Sequence, residues 1–333
     1  MIGMCCVTVG CRPCSTGPTL VVMATTAFHT ELAVPVAGGC LTVAVAGPGE
    51  PGAAALVLGI HGITGSHRFL AALARHLAAH DITFLAPDLR GRGASAGLPG
   101  PYGLDAHVAD LVSVLGYWGA ERAVLAGHSM GAYIVARLAA AHPGRCAGVV
   151  LVDGGLPPSV PPNAGPNTDP DAVLEAVLGP AFARLRMAFA SPEDYRDFWR
   201  RHPAFANRWN SDVQGCVDYD LGGRSGALRS TVVEAAVRTD GRDLLDGAAA
   251  WKAVAAVPKP VVLIRAPRGL ANESNPLLSE AMVEQAKRIM PGMRDVLIAD
   301  TNHYLIVLGD REAATVTVEI ARLTALAKES DRR

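Results

Sequence analysis

The chain has 333 residues, of which 50% are hydrophobic and 18% charged, and 30 basic against 31 acidic side chains leave a formal net charge of -1. That apolar content can bury one large domain, or a core with an insertion, while so small a net charge offers no whole-molecule attraction for nucleic acid or an anionic membrane. Apolar stretches are broken by Gly, Pro or charge well before the roughly 18–20 residues that a membrane span requires, so the expected setting is the cytoplasm, with no nucleic-acid or membrane partner.

Four of the seven cysteines, Cys5, Cys6, Cys11 and Cys14, fall in the first fourteen residues, and Cys40, Cys146 and Cys216 follow far apart. An odd count of mostly isolated thiols argues against a disulfide framework. The lone Cys11-x-x-Cys14 lacks the second pair that a zinc site needs, so no metal is expected. Residues 1–27 read as a disordered leader, with Met23 an alternative start. Arg12 and the short apolar run Leu20 to Ala24 weigh against a secretory signal.

Beyond the leader, Glu31 to Val36 and Leu41 to Ala46 are extended segments around Gly38-Gly39, the pattern of an antiparallel hairpin. Ala53 to Ile60 is apolar without alternation, as in a strand buried on both faces. A helix over His67 to His80, a buried strand Ile82 to Ala86 and a Gly-rich loop through Leu98 follow. The rhythm continues with a helix over Leu104 to Trp118, a strand Ala123 to Ala126, a helix Met130 to Ala141 and a strand Gly148 to Val152. Such alternation predicts an α/β fold with a mostly parallel central sheet flanked by helices. From 154 to 247 it stops. Pro157-Pro158 and Pro161-Pro162 open a stretch of helical segments rich in Arg, Phe and Trp, such as Asp194 to Arg201, expected as an inserted helical cap between core segments 28–153 and 248–333. Sheet logic resumes with a strand Val261 to Arg265, a helix Ser279 to Met290, a strand Asp295 to Ile298 and a terminal helix Arg311 to Lys328.

The chemistry concentrates in Gly127-His128-Ser129-Met130-Gly131, a Gly-x-Ser-x-Gly signature at a strand-to-helix junction. Small flanks let a serine sit on a sharp turn with Oγ exposed, and the helix beginning there favours negative charge. A serine hydroxyl needs a base to take its proton. His303, in a loop between the last strand and the terminal helix, can reach back over the sheet edge. His67, His76, His80 and His107 sit on or beside helices and are expected to face solvent, and His128 is expected to pack beneath the turn. Acyl transfer also needs two backbone N–H groups aimed where negative charge develops. The turn Ile60-His61-Gly62-Ile63-Thr64-Gly65 offers that of Ile63, with His61 and Gly62 against the substrate, and the elbow offers that of Met130.

His61-Gly62-Ile63, the run Pro87-Asp88-Leu89-Arg90-Gly91-Arg92-Gly93-Ala94-Ser95, the Gly127 to Gly131 elbow and Asn302-His303 occur in an order that resembles the α/β-hydrolase family, in a form with a helical cap. The resemblance spans roughly residues 30 to 325. It implies a structural role for Asp88 to Ser95 and the order serine, acid, histidine for the catalytic residues.

The acid has two candidates. Many relatives carry it after the strand that here ends near Arg265, but that loop reads Ala266-Pro267-Arg268-Gly269-Leu270-Ala271-Asn272-Glu273, and its first carboxylate, Glu273, arrives late. Asp153, at the end of the strand Val149 to Val152, is the alternative, favoured because a strand terminus holds a carboxylate with less ordering cost than a Pro/Gly/Asn loop.

The resulting expectation is a cofactor-free serine hydrolase that cleaves a small apolar ester or related acyl bond. Thioesterase, lactonase and carbon–carbon hydrolase chemistry are alternatives, with a perhydrolase or haloperoxidase-like enzyme or a non-catalytic receptor beyond them. Trp199 and Trp209 are candidates for the pocket wall, alongside Phe182, Phe189, Tyr195, Phe198 and Phe205, although aromatics at helical spacing more often form a cap's own core. Arg184, Arg186, Arg196, Arg200 and Arg201 read as a solvated helix face, one member of which could meet a substrate carboxylate.

Overall fold

A computed structural model describes residues 27–49, 55–157, 168–258 and 260–331. The leader, its cysteines and most of the proline-rich opening of the insertion lie outside the described residues. In chain order, β1 (Thr30–Val36), β2 (Gly39–Ala46) and β3 (Leu56–Ile60) precede α1 (Ala71–Ala79), β4 (Thr83–Pro87), α2 (Leu104–Tyr117), β5 (Ala123–His128), α3 (Met130–Ala141) and β6 (Cys146–Val152). The insertion carries α4 (Pro170–Leu178), α5 (Pro180–Ala183), α6 (Pro192–Arg200), α7 (Ser211–Asp220), β7 (Leu221–Arg224), β8 (Ala227–Ser230) and α8 (Glu234–Leu244). The chain then completes the core with α9 (Gly247–Ala255), β9 (Val261–Arg265), α10 (Glu280–Ile289), β10 (Arg294–Leu297), α11 (Leu305–Leu308) and α12 (Asp310–Asp331).

Eight strands form one sheet in the order β1-β2-β4-β3-β5-β6-β9-β10. β2 runs antiparallel to β1 and to β4, and from β4 to β10 all neighbours are parallel. Side chains alternate across the sheet. Leu58, Leu125, Leu151 and Leu263 pack against α2, α3, α9 and α10. Val57, Val124, Val150 and Val262 pack on the opposite face, against α1, α11 and α12. Both faces are therefore dry, which is why β3, β4, β5 and β9 read as unbroken apolar runs. Each fully buried Leu, Ile or Val contributes roughly 1.5–3 kcal/mol relative to exposure. Because the central strands are parallel, the loops after β3, β5, β6, β9 and β10 leave from one edge, the position where open α/β sheets place their ligands.

The expected helix over His67 to His80 is a 3-10 turn, His67–Leu70, leading into α1. The insertion is not wholly helical, since β7 and β8 pair as an antiparallel ribbon. Their alternation is masked by glycines and arginines in a four-residue run each. α6 starts at Pro192 under a capping box, with Ser191 accepting from the Asp194 N–H and the Asp194 carboxylate receiving the Ser191 N–H, and this cap fixes its first turn.

Three solvent-facing expectations are corrected. His67 and His107 are fully buried. The Asp88 carboxylate accepts from Nδ1 of His67, and Asp240 accepts from Nε2 of His107, at 2.9 Å each. Asp240 lies 133 positions away from its histidine, which no local pattern discloses. Arg184 is also buried, because Asp220 and Tyr195 converge on its guanidinium. Cys40 is disulfide-bonded, unlike the isolated thiol expected there, and Cys146 and Cys216 are free. Among the described residues, no helix is long and apolar enough to cross a membrane.

Candidate active site

β5 ends in the elbow. Ser129 has φ +55° and ψ −122°, a strained backbone for a residue with a Cβ. Close packing forces that conformation. A Cβ on Gly127 would lie 2.2 Å from the Gly131 carbonyl oxygen, and one on Gly131 would lie 2.2 Å from that of Ile60. Strand and helix thus meet with only glycine between them, and Ser129 is pushed out at the crest, half-buried.

The loop after β10 brings His303 over the sheet edge, with its Nε2 3.0 Å from Ser129 Oγ. On the far side of the ring, Nδ1 donates to Asp153 Oδ2 at 2.7 Å. Asp153 follows β6 and is completely buried. Its other oxygen accepts from the Ala266 N–H at 3.1 Å, and its own N–H donates to the Ile264 carbonyl at 2.7 Å. The carboxylate is held from two adjacent strands. Glu273 takes a different place: it accepts from the Ala271 N–H within its own turn and lines the rim of the cavity beside Ser129.

Asn302 positions the histidine loop, accepting from the N–H groups of Tyr304 and Leu305 and donating to the Ala204 carbonyl in the insertion. His128 lies beneath. Its Nε2–H donates to the His303 carbonyl at 2.8 Å, and the two rings are 4.7 Å apart. Burial drives the His128 pKa well below the ordinary value, with the neighbouring His303 acting in the same direction, so His128 is a neutral support under the His303 ring.

Ile63 and Met130 both line the cavity at Ser129. Met130 opens α3, where a backbone N–H has no partner within the helix. The N–H of Ile63 belongs to the peptide whose carbonyl is that of Gly62, and that oxygen accepts from His61 Nδ1 at 2.8 Å and from the Gly65 N–H at 3.0 Å. His61 is buried behind the loop, and its Nε2 accepts from the Leu89 N–H at 3.1 Å. Burial lowers its pKa to about 4 against the upward pull of Asp88, so the ring stays neutral and one tautomer is fixed. His61 therefore orients a peptide and does not line the cavity. Gly62 brings the loop close to the elbow, since a Cβ there would lie 3.2 Å from Ser129 Cβ.

The cavity, about 430 Å³, is walled by Val173, Leu174, Val177 and Leu178 of α4, by Leu244 at the end of α8, and by the 270–278 loop. Trp199 and Trp209 are not among its lining residues. Trp199 packs against His202, Phe205 and Tyr304 beneath the Arg184 guanidinium, and Trp209 lies under Arg200. The apolar wall comes from aliphatic residues, which carried no distinctive signal in an Ala- and Leu-rich chain. Gly154 was also missed: a Cβ there would lie 2.4 Å from the Ser129 carbonyl oxygen. Among the described residues, no group of three or more His, Cys, Asp or Glu side chains is arranged to hold a metal ion.

The sheet order, the strained serine turn and the histidine returning after the last strand define an α/β hydrolase. A family model described as alpha/beta hydrolase fold matches residues 55–310, and the chain belongs to that family. It is similar to lipase LipV of Mycobacterium tuberculosis, 41% identical over 107 residues, covering 32% of this chain and 39% of the lipase. The chain spans about two fifths of the length of the curated relatives it matches. Among solved structures it is similar to E-2-(acetamidomethylene)succinate hydrolase, with TM-score 0.70, 22% identity and coverage of 88% of this chain and 98% of that one. The thioesterase domain of the curacin biosynthetic pathway gives 0.69, 20%, 88% and 98%. At these identities the structures speak for the fold alone.

Proposed function

We propose that the protein hydrolyses carboxylic esters with uncharged, apolar acyl groups through an acyl-enzyme on Ser129. The observation that carries this reading is the continuous chain from Ser129 Oγ through the His303 ring to Asp153, at 3.0 and 2.7 Å. In the first half-reaction His303 Nε2 takes the Oγ proton as Oγ bonds to the ester carbonyl carbon. The oxygen of the tetrahedral intermediate is stabilised by the N–H groups of Ile63 and Met130. Collapse breaks the bond to the alcohol oxygen, which leaves with the proton from His303. In the second half-reaction water gives a proton to the same nitrogen as its oxygen bonds to the acyl carbon, and collapse breaks the bond to Ser129 Oγ, which takes that proton back from His303 as the carboxylic acid leaves. Asp153 holds the tautomer and stabilises the imidazolium.

The aliphatic wall supports an apolar acyl group, and a volume of about 430 Å³ is within the usual range for small-molecule sites. No Lys or Arg lines that cavity among the described residues, whereas Glu273 does. A carboxylate-bearing acyl group would be desolvated there without a partner. The lipase relative is consistent with ester chemistry. A cytoplasmic setting accompanies the proposal.

A fluorophosphonate should label the wild type at Ser129 and leave Ser129→Ala unlabelled. A p-nitrophenyl ester series should show higher kcat/KM for medium acyl chains than for acetate or a succinate half-ester, with matched thioesters and lactones as the alternative substrates. Absence of labelling in the folded wild type would overturn the acyl-enzyme.

A further inference from the structure

Three consecutive carbonyls in the loop beside Ser129 each accept from a buried side chain. His61 holds that of Gly62, as described above. Arg92 Nε donates to the Ile63 carbonyl at 2.9 Å, and Arg184 Nη2 donates to the Thr64 carbonyl at 3.2 Å. Neither guanidinium lines the Ser129 cavity. Both are tied to carboxylates of the insertion, Arg92 to Asp240 on α8 at 2.6 Å and Arg184 to Asp220 at the end of α7 at 3.1 Å. Arg184 also donates to the Ala181 carbonyl and the Tyr195 hydroxyl. All four side chains are buried or nearly so.

We propose that Arg92 and Arg184 are positioning residues through which the insertion sets the oxyanion donor. A peptide unit is planar, so fixing the Gly62 and Ile63 carbonyls fixes the peptide planes on both sides of Ile63, the first of which carries its N–H, and fixing the Thr64 carbonyl holds the next plane along the loop. An oxyanion donor works only when it is aimed before the charge develops. An arginine fork does this better than a lysine, because its planar donors fix direction as well as distance. The insertion thus contributes to the reaction rate without touching the substrate, in addition to shaping the acyl pocket. This inference rests on Ser129 being the acyl-transfer nucleophile.

Arg184→Lys keeps the charge and loses the fork, and Asp240→Asn keeps the volume and loosens Arg92. Each variant should lower kcat on a p-nitrophenyl ester on the order of tenfold, a fraction of the loss on deleting an oxyanion donor outright, with KM within about twofold of wild type. Hydrogen exchange of the segment 61–66 should speed up on the order of tenfold while the central strands keep their protection. Glu193→Gln, which removes surface ion pairs of α6 with Arg196 and Arg200, should change neither quantity. If either kcat or the exchange of 61–66 stays at the wild-type value in both variants, the proposal is overturned. A wild type that no fluorophosphonate labels refutes the acyl-enzyme and with it the oxyanion role of the loop, whereas a labelled wild type with unchanged kcat or unchanged exchange in both variants refutes this proposal alone.

Discussion

Replacing Asp153 by Asn preserves shape and removes one acceptor, and the two hydrogen bonds of the carboxylate show what must follow. Oδ2 receives the His303 Nδ1–H at 2.7 Å and Oδ1 receives the Ala266 N–H at 3.1 Å. An asparagine has one oxygen for these two donors. With its oxygen on Ala266, its NH₂ faces Nδ1, the ring must move its proton to Nε2, and His303 can no longer accept from Ser129. With its oxygen on Nδ1, the NH₂ opposes the backbone N–H in a site with no solvent exposure, at the cost of an unsatisfied buried donor. The first outcome removes the working base, and the second deprives the imidazolium of its carboxylate and a buried N–H of its acceptor, so kcat should fall on the order of 10³ to 10⁴, or about 4–5.5 kcal/mol of transition-state stabilisation. Glu273→Gln should cost less than about threefold, since its carboxylate accepts from the Ala271 N–H of its own loop and not from His303. The assay is steady-state hydrolysis of one p-nitrophenyl ester at pH 7–8, with circular dichroism confirming the fold of each variant. A near-wild-type Asp153→Asn beside a disabled Glu273→Gln would refute the assignment.

Gly154→Ala places a Cβ against the Ser129 carbonyl and should destabilise the fold by roughly 1–3 kcal/mol or more, measured by urea denaturation, while lowering labelling of Ser129. Val177→Phe narrows the cavity and should reduce kcat/KM for medium-chain esters at least about tenfold while acetate changes by less than about threefold; equal losses on both substrates would count against the acyl pocket. The folded pKa of His61 is about 4 against an ordinary 6.5, so only the unfolded chain takes up this proton between those values. Its contribution is complete above about pH 6.5 and is lost as pH falls towards 4, a change of about 3 kcal/mol that urea midpoints across this window should show and His61→Gln should diminish. Asp88 is held down to about 2, burial pushing it up and His67 and Tyr219 outweighing that push. Its contribution is present above about pH 4 and is lost on acidification through about pH 2, and Asp88→Asn should flatten acid unfolding in that range.

The sheet was legible because burial on both faces leaves a simple trace: β3 is a run of Leu, Val, Gly and Ile, β5 is apolar from Ala123 to Gly127, and β9 is apolar from Val261 to Ile264. That Ser129 and His303 meet was legible because a Gly-x-Ser-x-Gly turn between strand and helix and a post-strand histidine are local features, each carried by a few adjacent residues. Which carboxylate meets His303 was harder to read. Asp153 and Glu273 are both carboxylates following strands, and what separates them is the direction of a side chain relative to residues 113 and 150 positions away. The insertion was least legible, because its pairings are chosen by tertiary geometry. Arg184 and Arg186 are two residues apart in one turn, yet Arg184 is buried against Asp220 while Arg186 reaches Glu234 at the surface. Composition gave both the same expectation.

The polar ties between core and insertion share a feature that bears on why they are charged at all. Asp88 accepts from the Tyr219 hydroxyl of α7 at 2.7 Å, Arg92 meets Asp240 of α8, and Arg184 meets Thr64 of the core. Well-packed apolar residues in such places often give equal or greater stability, because a buried ion pair must offset the desolvation of both charges. What apolar contacts lack is direction: an aliphatic interface tolerates sliding, whereas a guanidinium donating to one carbonyl and a carboxylate fixes both angle and distance. All three ties end on the two loops that flank the elbow, the one after β3 and the one after β4. A substitution such as Asp240→Leu, which removes the carboxylate alone, therefore acts on two quantities. It leaves the buried Arg92 guanidinium, the His107 ring and the Gly103 N–H without their acceptor, which should cost roughly 3–5 kcal/mol of stability by urea denaturation, and it releases the angular constraint on the Ile63 carbonyl, so turnover per folded molecule should fall as well.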